Sequence, residues 1–296
     1  FTTMATPNSD NNKALVHIAR DKIALRSAFH TQIIRSCTQA ITSRENFVLA
    51  ISGGSLPSLL SGLNESFAAV SVNPQYKKWH IILVDERLVA EDHPDSNMGS
   101  IKNNFLSSGA ASSIPPDQIL TIDYSKLRDD GVDKAAASAI ASCYGTALKN
   151  ILDSFSSHRI DLCLLGFGED GHTASIFPDH PLLAMNDKDT LVAYIQDSPK
   201  PPPFRTTLTL PTLNSSREIL FVGTGAGKQK VIDTVFIRPT TTKIVYGAED
   251  VAILDLEMVD PPQLPCAMVR LDGSRVKWLI DANAAGNIIG KCKGQE

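Results

Sequence analysis

No run of apolar residues in this chain approaches the roughly 20 needed to cross a bilayer. A large excess of either charge is also missing: 28 Lys and Arg stand against 32 Asp and Glu, a formal net charge of −4. That balance argues against non-specific binding to nucleic acid or to an anionic membrane surface, yet leaves room for a local basic pocket. Cysteine is scarce. Cys37, Cys143, Cys163, Cys266 and Cys292 are odd in number, scattered and never in C-x-x-C spacing. Neither a disulfide framework nor a zinc site is indicated, and reduced thiols in the cytoplasm are expected. The opening FTTMATPNSDNN has neither the basic nor the apolar region of a secretory signal. Residues 1–11 are expected to be disordered or vector-derived, and Phe1 to Thr3, which precede Met4, are left out of the fold reading. No fixed-period repeat, low-complexity tail or long linker divides the remainder, so residues 12–290 are read as one α/β domain with no obligate protein partner.

What the sequence does contain is apolar patterning. From Asn12 to about Arg44, residues such as Leu15, Ile18, Ala19, Ile23, Phe29, Ile33 and Ile41 recur at helical spacing, predicting a long amphipathic helix broken at most once. Buried strands are predicted over 46–52, 79–86, 118–123, 160–165, 190–195, 205–210 and 218–223, with a late one at 276–281. Helices are predicted from LPSLLSGLNESF with Pro57 in its first turn, over 96–107 with Ser96 or Asp95 as cap, over the alanine-rich 132–155, over GKQKVIDTVF and over DANAAGN. Wholly apolar strands separated by helices predict a Rossmann-like architecture: a mainly parallel central sheet flanked by helices on both faces. Ligands of such sheets bind at the carboxyl ends of the strands. Four candidate loops leave strands at that edge, after Ile51, Val84, Leu165 and Val222. The 240–262 segment carries no motif that places it.

Each loop has a bland reading beside its chemical one. Ser52-Gly53-Gly54-Ser55 leads from a strand into a helix, where backbone N–H groups and a hydroxyl can meet an oxyanion. It is equally an ordinary tight turn. Asp85, Glu86 and Arg87 emerge together at a strand end, either as a salt-bridge cluster or with Arg87 suited to phosphate. His93 reads as a solvated loop histidine. GFGEDG at 166–171 fits G-x-G-x-x-G, but a dinucleotide site needs a full crossover helix and an acid about 20 residues on. Here Pro178 interrupts, Asp187 and Asp189 sit in a polar run, and the turn follows the fourth strand rather than the first. The nucleotide reading is rejected. What remains is a loop that delivers Asp170 and His172 to the sheet edge, with His172 able to take and return a proton near neutral pH. Asp170 can orient that imidazole or cap the short helix. Arg205 and Lys228 each stand near a strand boundary, the latter after Gly223, Gly225 and Gly227. Three cations, Arg87, Arg205 and Lys228, converging on one edge of an acidic protein point to a small phosphorylated ligand, whereas Lys200, Lys230 and Arg217 read equally well as solvated charges.

In order, SGGS, DER with SN following, GFGEDGHTASIFP, PKPPPFRTTLTL and GTGAGK resemble the 6-phosphogluconolactonases over roughly Asn12 to Ala285. The wider family also holds glucosamine-6-phosphate deaminases/isomerases. DER, where those carry DEY, and GHTASIFP, where they run GHIAFNEP, look like the lactonase form. Leu56 after SGGS and Ile176 depart mildly from the pattern, without touching a proposed catalytic group. The resemblance implies hydrolysis of 6-phospho-D-glucono-1,5-lactone to 6-phosphogluconate, with no metal and no organic cofactor. It implies His172 as general base, Asp170 in support, phosphate held by Arg87, Arg205, Lys228 and the Gly53-Gly54-Ser55 turn, and Asn97 in contact with sugar hydroxyls or with the loop itself. Asp85 is expected among the substrate-binding residues of the same site. In the deaminase alternative, Asp85 would shuttle a proton at C2. A non-catalytic sugar-phosphate sensor is the third reading.

Overall fold

The computed structural model describes residues 12–107, 109–127, 131–156, 158–237, 244–247, 249–271 and 274–289. The expectation for residues 1–11, and the ends of the chain including Gly290 and Cys292, lie outside them. Ten strands are present among the described residues: β1 (Lys13–Ala19), β2 (Phe47–Ile51), β3 (Trp79–Leu83), β4 (Asp85–Arg87), β5 (Leu162–Gly166), β6 (Val192–Ile195), β7 (Arg205–Leu208), β8 (Glu218–Gly223), β9 (Val251–Glu257) and β10 (Val276–Asp281). The α-helices are α1 (Lys22–Arg44), α2 (Leu56–Leu59), α3 (Leu63–Ala69), α4 (Asn97–Ile101), α5 (Lys134–Asp153), α6 (Leu210–Asn214), α7 (Gln229–Val235) and α8 (Ala282–Ala285).

The described residues open with a strand, not with the long helix that the spacing from Asn12 predicts. Ala14, Val16 and Ile18 are fully buried at every second position, the period of a strand. Asp21 then starts α1 by accepting the N–H groups of Ile23 and Ala24, each at 2.9 Å, which satisfies donors that a first helical turn leaves open. Leu15, Ile18 and Ala19 also fit helical spacing. Pairing with β10 and β9 on either side decides the conformation.

The main sheet has the order β3-β2-β5-β8-β10-β1-β9 and is parallel except for β9, which runs antiparallel to β1 at the edge. All of β2 and the first four residues of β5 are buried, so both faces of the sheet centre are covered. β9 lies within the 240–262 segment that the sequence left unplaced. The predicted strand over 118–123 is absent: Pro116–Gln118 makes a 3₁₀ turn, and Ile119 only bridges to Ile81.

The expected strand over 79–86 is two strands in two sheets. At Val84 the N–H still donates to Ile51 of the main sheet, at 3.0 Å, while its carbonyl accepts from Leu208 at 2.8 Å. β4 thereby joins a second, antiparallel sheet of order β4-β7-β6. The strands predicted over 190–195 and 205–210 belong to that sheet. Its register sets Arg87 opposite Arg205, which brings two distant loops to the same rim.

Candidate active site

At the carboxyl ends of β2, β5 and β8 lies a cavity of about 410 Å³. Ser52 to Ser55, Asp85, Arg87, Gly166 to Glu169, His172, Lys200, Arg205, Gly223, Thr224 and Lys228 line it. Asp170 and Asn97 stand behind that lining.

The loop after β5 turns back on itself through Gly168, whose N–H donates to the carbonyl of His172 at 2.8 Å. A side chain at Gly168 would strike both the His172 ring and the Asp170 carboxylate, so only glycine permits this approach. Nδ1 of His172 and Oδ1 of Asp170 are 2.5 Å apart, and the Phe177 ring packs on the imidazole at 4.7 Å between centroids. With Asp170 accepting at Nδ1, Nε2 is the ring nitrogen left with a lone pair. Burial pushes the His172 pKa below its ordinary value, with Asp170 opposing the shift and Lys200 adding to it. Burial alone would raise the Asp170 pKa, but its bond to His172 and the nearby Lys200 bring it below the usual carboxylate range.

The glycine turn after β2 is shaped from behind. A Cβ at Gly53 would overlap the Asn97 carboxamide, and Asn97 is 2 % exposed with its Nδ2 donating to the Asp85 carbonyl at 2.8 Å. Asn97 therefore stands against the turn and is not among the residues that line the cavity. Its second proposed role, contact with the loop itself, is the one this geometry fits. α2 is a single turn, so the turn's own N–H groups, more than a helix dipole, are what Gly53-Gly54-Ser55 offers an anion. Ser52 Oγ donates to Asp85 Oδ1 at 3.3 Å and Ser175 Oγ donates to Oδ2 at 2.8 Å, which fixes the Asp85 carboxylate.

The cations come from three elements. Arg87 donates through Nη1 to the Asp95 carbonyl at 2.8 Å, and its buried Nε has no hydrogen-bond partner among the described residues. Arg205, across the ladder, is 2 % exposed, and its pKa is lowered by burial and then by Arg87. Like charges directly opposite in an antiparallel pair repel. Lys228 donates to the Phe167 carbonyl at 2.5 Å and sits over the Phe167 ring. Burial lowers its pKa, against Glu169, which raises it. The turn before Lys228 is held by Asp281, which accepts the Gly225 N–H at 3.0 Å and also caps α8 by accepting from Ala284 at 2.8 Å.

The structure thus gathers the expected Gly53, Gly54, Ser55, Asp85, Arg87, His172, Arg205 and Lys228 around one hollow, with Asp170 on the base. Sequence reasoning missed Lys200, grouped with the solvated charges, and the supporting Asp281 and Ser175. Asp281 carried a readable signal, an acid between a strand and a short helix. Ser175 and Lys200 carried none, because Ser175 bonds to Asp85, 90 residues away, and Lys200 pairs with Asp170 on another loop.

The sequence model described as glucosamine-6-phosphate isomerases/6-phosphogluconolactonase matches residues 20–278. The chain is 36% identical over 243 residues to a Homo sapiens protein named 6-phosphogluconolactonase, covering 82% of this chain and 81% of that one. It is 35% identical over 250 residues to the Rattus norvegicus protein of that name, covering 84% and 83%. A solved 6-phosphogluconolactonase from Leishmania guyanensis superposes with a TM-score of 0.68 at 26% identity, covering 92% of this chain and 97% of that one. On the extent of these matches, the chain belongs to the glucosamine-6-phosphate isomerase/6-phosphogluconolactonase family.

Proposed function

We propose that this protein hydrolyses 6-phospho-D-glucono-1,5-lactone to 6-phosphogluconate, the second step of the oxidative pentose phosphate pathway, with His172 as the general base. The observation that carries the mechanism is the hydrogen-bonded Asp170–His172 pair, with His172 on the wall of a cavity ringed by cations. A lactone carbonyl is already electrophilic, so the reaction needs an activated water more than a covalent nucleophile. Nε2 of His172 takes a proton from water as its oxygen bonds to C1, and the imidazolium is stabilised by Asp170. Negative charge gathers on the carbonyl oxygen, to be met by loop N–H groups or a nearby ammonium. The C1–O5 bond then breaks, and His172 returns the proton to the departing ring oxygen, leaving an acid at C1 and a hydroxyl at C5.

The Arg87–Arg205 juxtaposition supports a phosphate site, because a dianion relieves the repulsion that the ladder imposes. Lys228 and the Gly53-Gly54-Ser55 turn complete it in this reading. Phosphate held away from C1 orients the lactone and contributes binding energy to the transition state. Asp85 is disfavoured as a mobile proton shuttle, since both its oxygens already accept serine hydroxyls. Cys37, Cys143, Cys163 and Cys266 are unpaired, which suits a reducing compartment, and we place the enzyme in the cytoplasm.

The deciding assay uses freshly generated lactone and subtracts spontaneous opening. His172→Ala is expected to lose about 10² to 10⁴-fold in rate, the usual scale for removing a general base. An unchanged enzymatic rate would remove His172 from the mechanism, and catalytic release of ammonia from glucosamine 6-phosphate would reassign the substrate.

A further inference from the structure

The proline loop between β6 and β7 is clamped at its base. Arg205 donates from Nε to the Pro202 carbonyl at 3.1 Å, and from Nη2 to the carbonyls of Lys200 at 2.8 Å and Pro201 at 3.2 Å. Ser198 closes the other side, donating from Oγ to the Lys200 carbonyl at 2.6 Å while accepting its N–H at 3.3 Å. The Arg205 guanidinium also lies over Phe177, the ring that packs on His172. Fixed backbone at Lys200 has a consequence for its side chain. The half-exposed Lys200 side chain turns toward the base: its ammonium lies 3.4 Å from Nδ1 of His172 and 3.7 Å from Oδ2 of Asp170. Since Nδ1 donates its hydrogen to Oδ1, the ammonium's partner is the other carboxylate oxygen.

We propose that Lys200 is a positioning residue for the base: it holds Asp170 through the oxygen that His172 does not use, with Arg205 and the proline loop as its anchor. This rests on the reading of His172 given above. With His172 on Oδ1 and the ammonium near Oδ2, rotation of the carboxylate away from the ring is disfavoured, and the setting of the imidazole is steadied with it. The same ammonium disfavours a second proton on the ring. Charged groups facing the imidazole are Asp170 on its own loop, Lys200 on the proline loop and Asp85 on β4. Lys228 and Glu169 flank them from the β8 turn and the glycine loop. Removing Lys200 takes away a repulsion on the imidazolium and leaves Asp170 unscreened, and both changes raise the pH at which His172 titrates.

The test compares Lys200→Met and Lys200→Arg with the parent by two readouts. NMR titration of the His172 ring in the free protein needs no turnover, and the acid limb of kcat/KM for lactone hydrolysis reports the base at work. For Lys200→Met we expect both midpoints to rise together by about half a pH unit or more, and Lys200→Arg to restore most of the shift. An unmoved His172 midpoint in Lys200→Met, with only KM raised, would overturn the proposal and leave Lys200 a plain substrate ligand. A raised NMR midpoint that the rate profile does not follow would support the Lys200–Asp170–His172 arrangement and overturn His172 as the base.

Discussion

A methyl group at Gly168 would collide with Nδ1 of His172 and Oδ1 of Asp170 together. Gly168→Ala is therefore expected to displace the pair by a fraction of an ångström to an ångström, with a rate loss of about 10²-fold, since misplacement on that scale has such cost. Thermal unfolding followed by circular dichroism should stay within a few degrees of the parent. Equal loss of folding and activity would instead make Gly168 a fold requirement. The glycines of GFGEDG match a dinucleotide fingerprint, yet their use here is to fold a loop back onto its own histidine. That use was legible in outline, because Pro178 forbids a crossover helix. The roles of Asn97 and Lys200 were not. Each depends on a group distant in sequence, Gly53 for one and Asp170 for the other, and no local pattern records it.

Among the elements, the strand ends matter most to the site. β10 ends at Asp281, whose carboxylate serves the first turn of α8 and the Gly225 turn of the neighbouring strand at once. Asp281→Ala should cost about 1–2 kcal/mol, the typical loss of an N-cap, read from urea denaturation. Calorimetric affinity for 6-phosphogluconate should fall as well, because the turn that presents Lys228 loses its fixed point. Unaltered affinity with lowered stability would confine Asp281 to the cap. The helices α1 and α5 and the strands β2, β5 and β8 were readable from periodicity, turn residues and caps. β1 was misread as helix because seven residues satisfy both periods, and the bend at Val84 is invisible locally because the apolar run continues through it.

At the scale of the whole molecule, one buried acid on β4 ties the second sheet to the start of α4. Glu86, 0 % exposed, accepts N–H groups from Arg87 and Asn97 at 2.8 Å and from Met98 at 2.9 Å. Burial nevertheless raises its pKa from 4.5 to about 7, with Asp85 adding to the shift against those three bonds. Between these values the folded protein holds a proton that the unfolded chain has released, so this group's contribution is full at low pH and lost as pH rises through about 7. Between about pH 5 and pH 8, the parent should lose about 2 to 3 kcal/mol relative to Glu86→Gln, measured by urea unfolding. A difference independent of pH would mean that the N–H groups keep Glu86 ionised throughout. Because Glu86 also sets Asn97 behind the glycine turn, this titration bears on the cavity wall as well as on stability.

The sequence by itself determined the α/β class, the loops that meet at the cavity and the imidazole and cations they present. Those follow from short-range matters: apolar runs long enough for buried strands, glycines where the chain must turn, and a proline that ends a helix. Tertiary structure alone decided that β4 leaves the main sheet to put Arg87 against Arg205, that Asn97 lies behind the cavity, and that Lys200 reaches Asp170. Each of these depends on hydrogen-bonded pairing between segments far apart in the chain, where the energy of the contact belongs to neither segment alone.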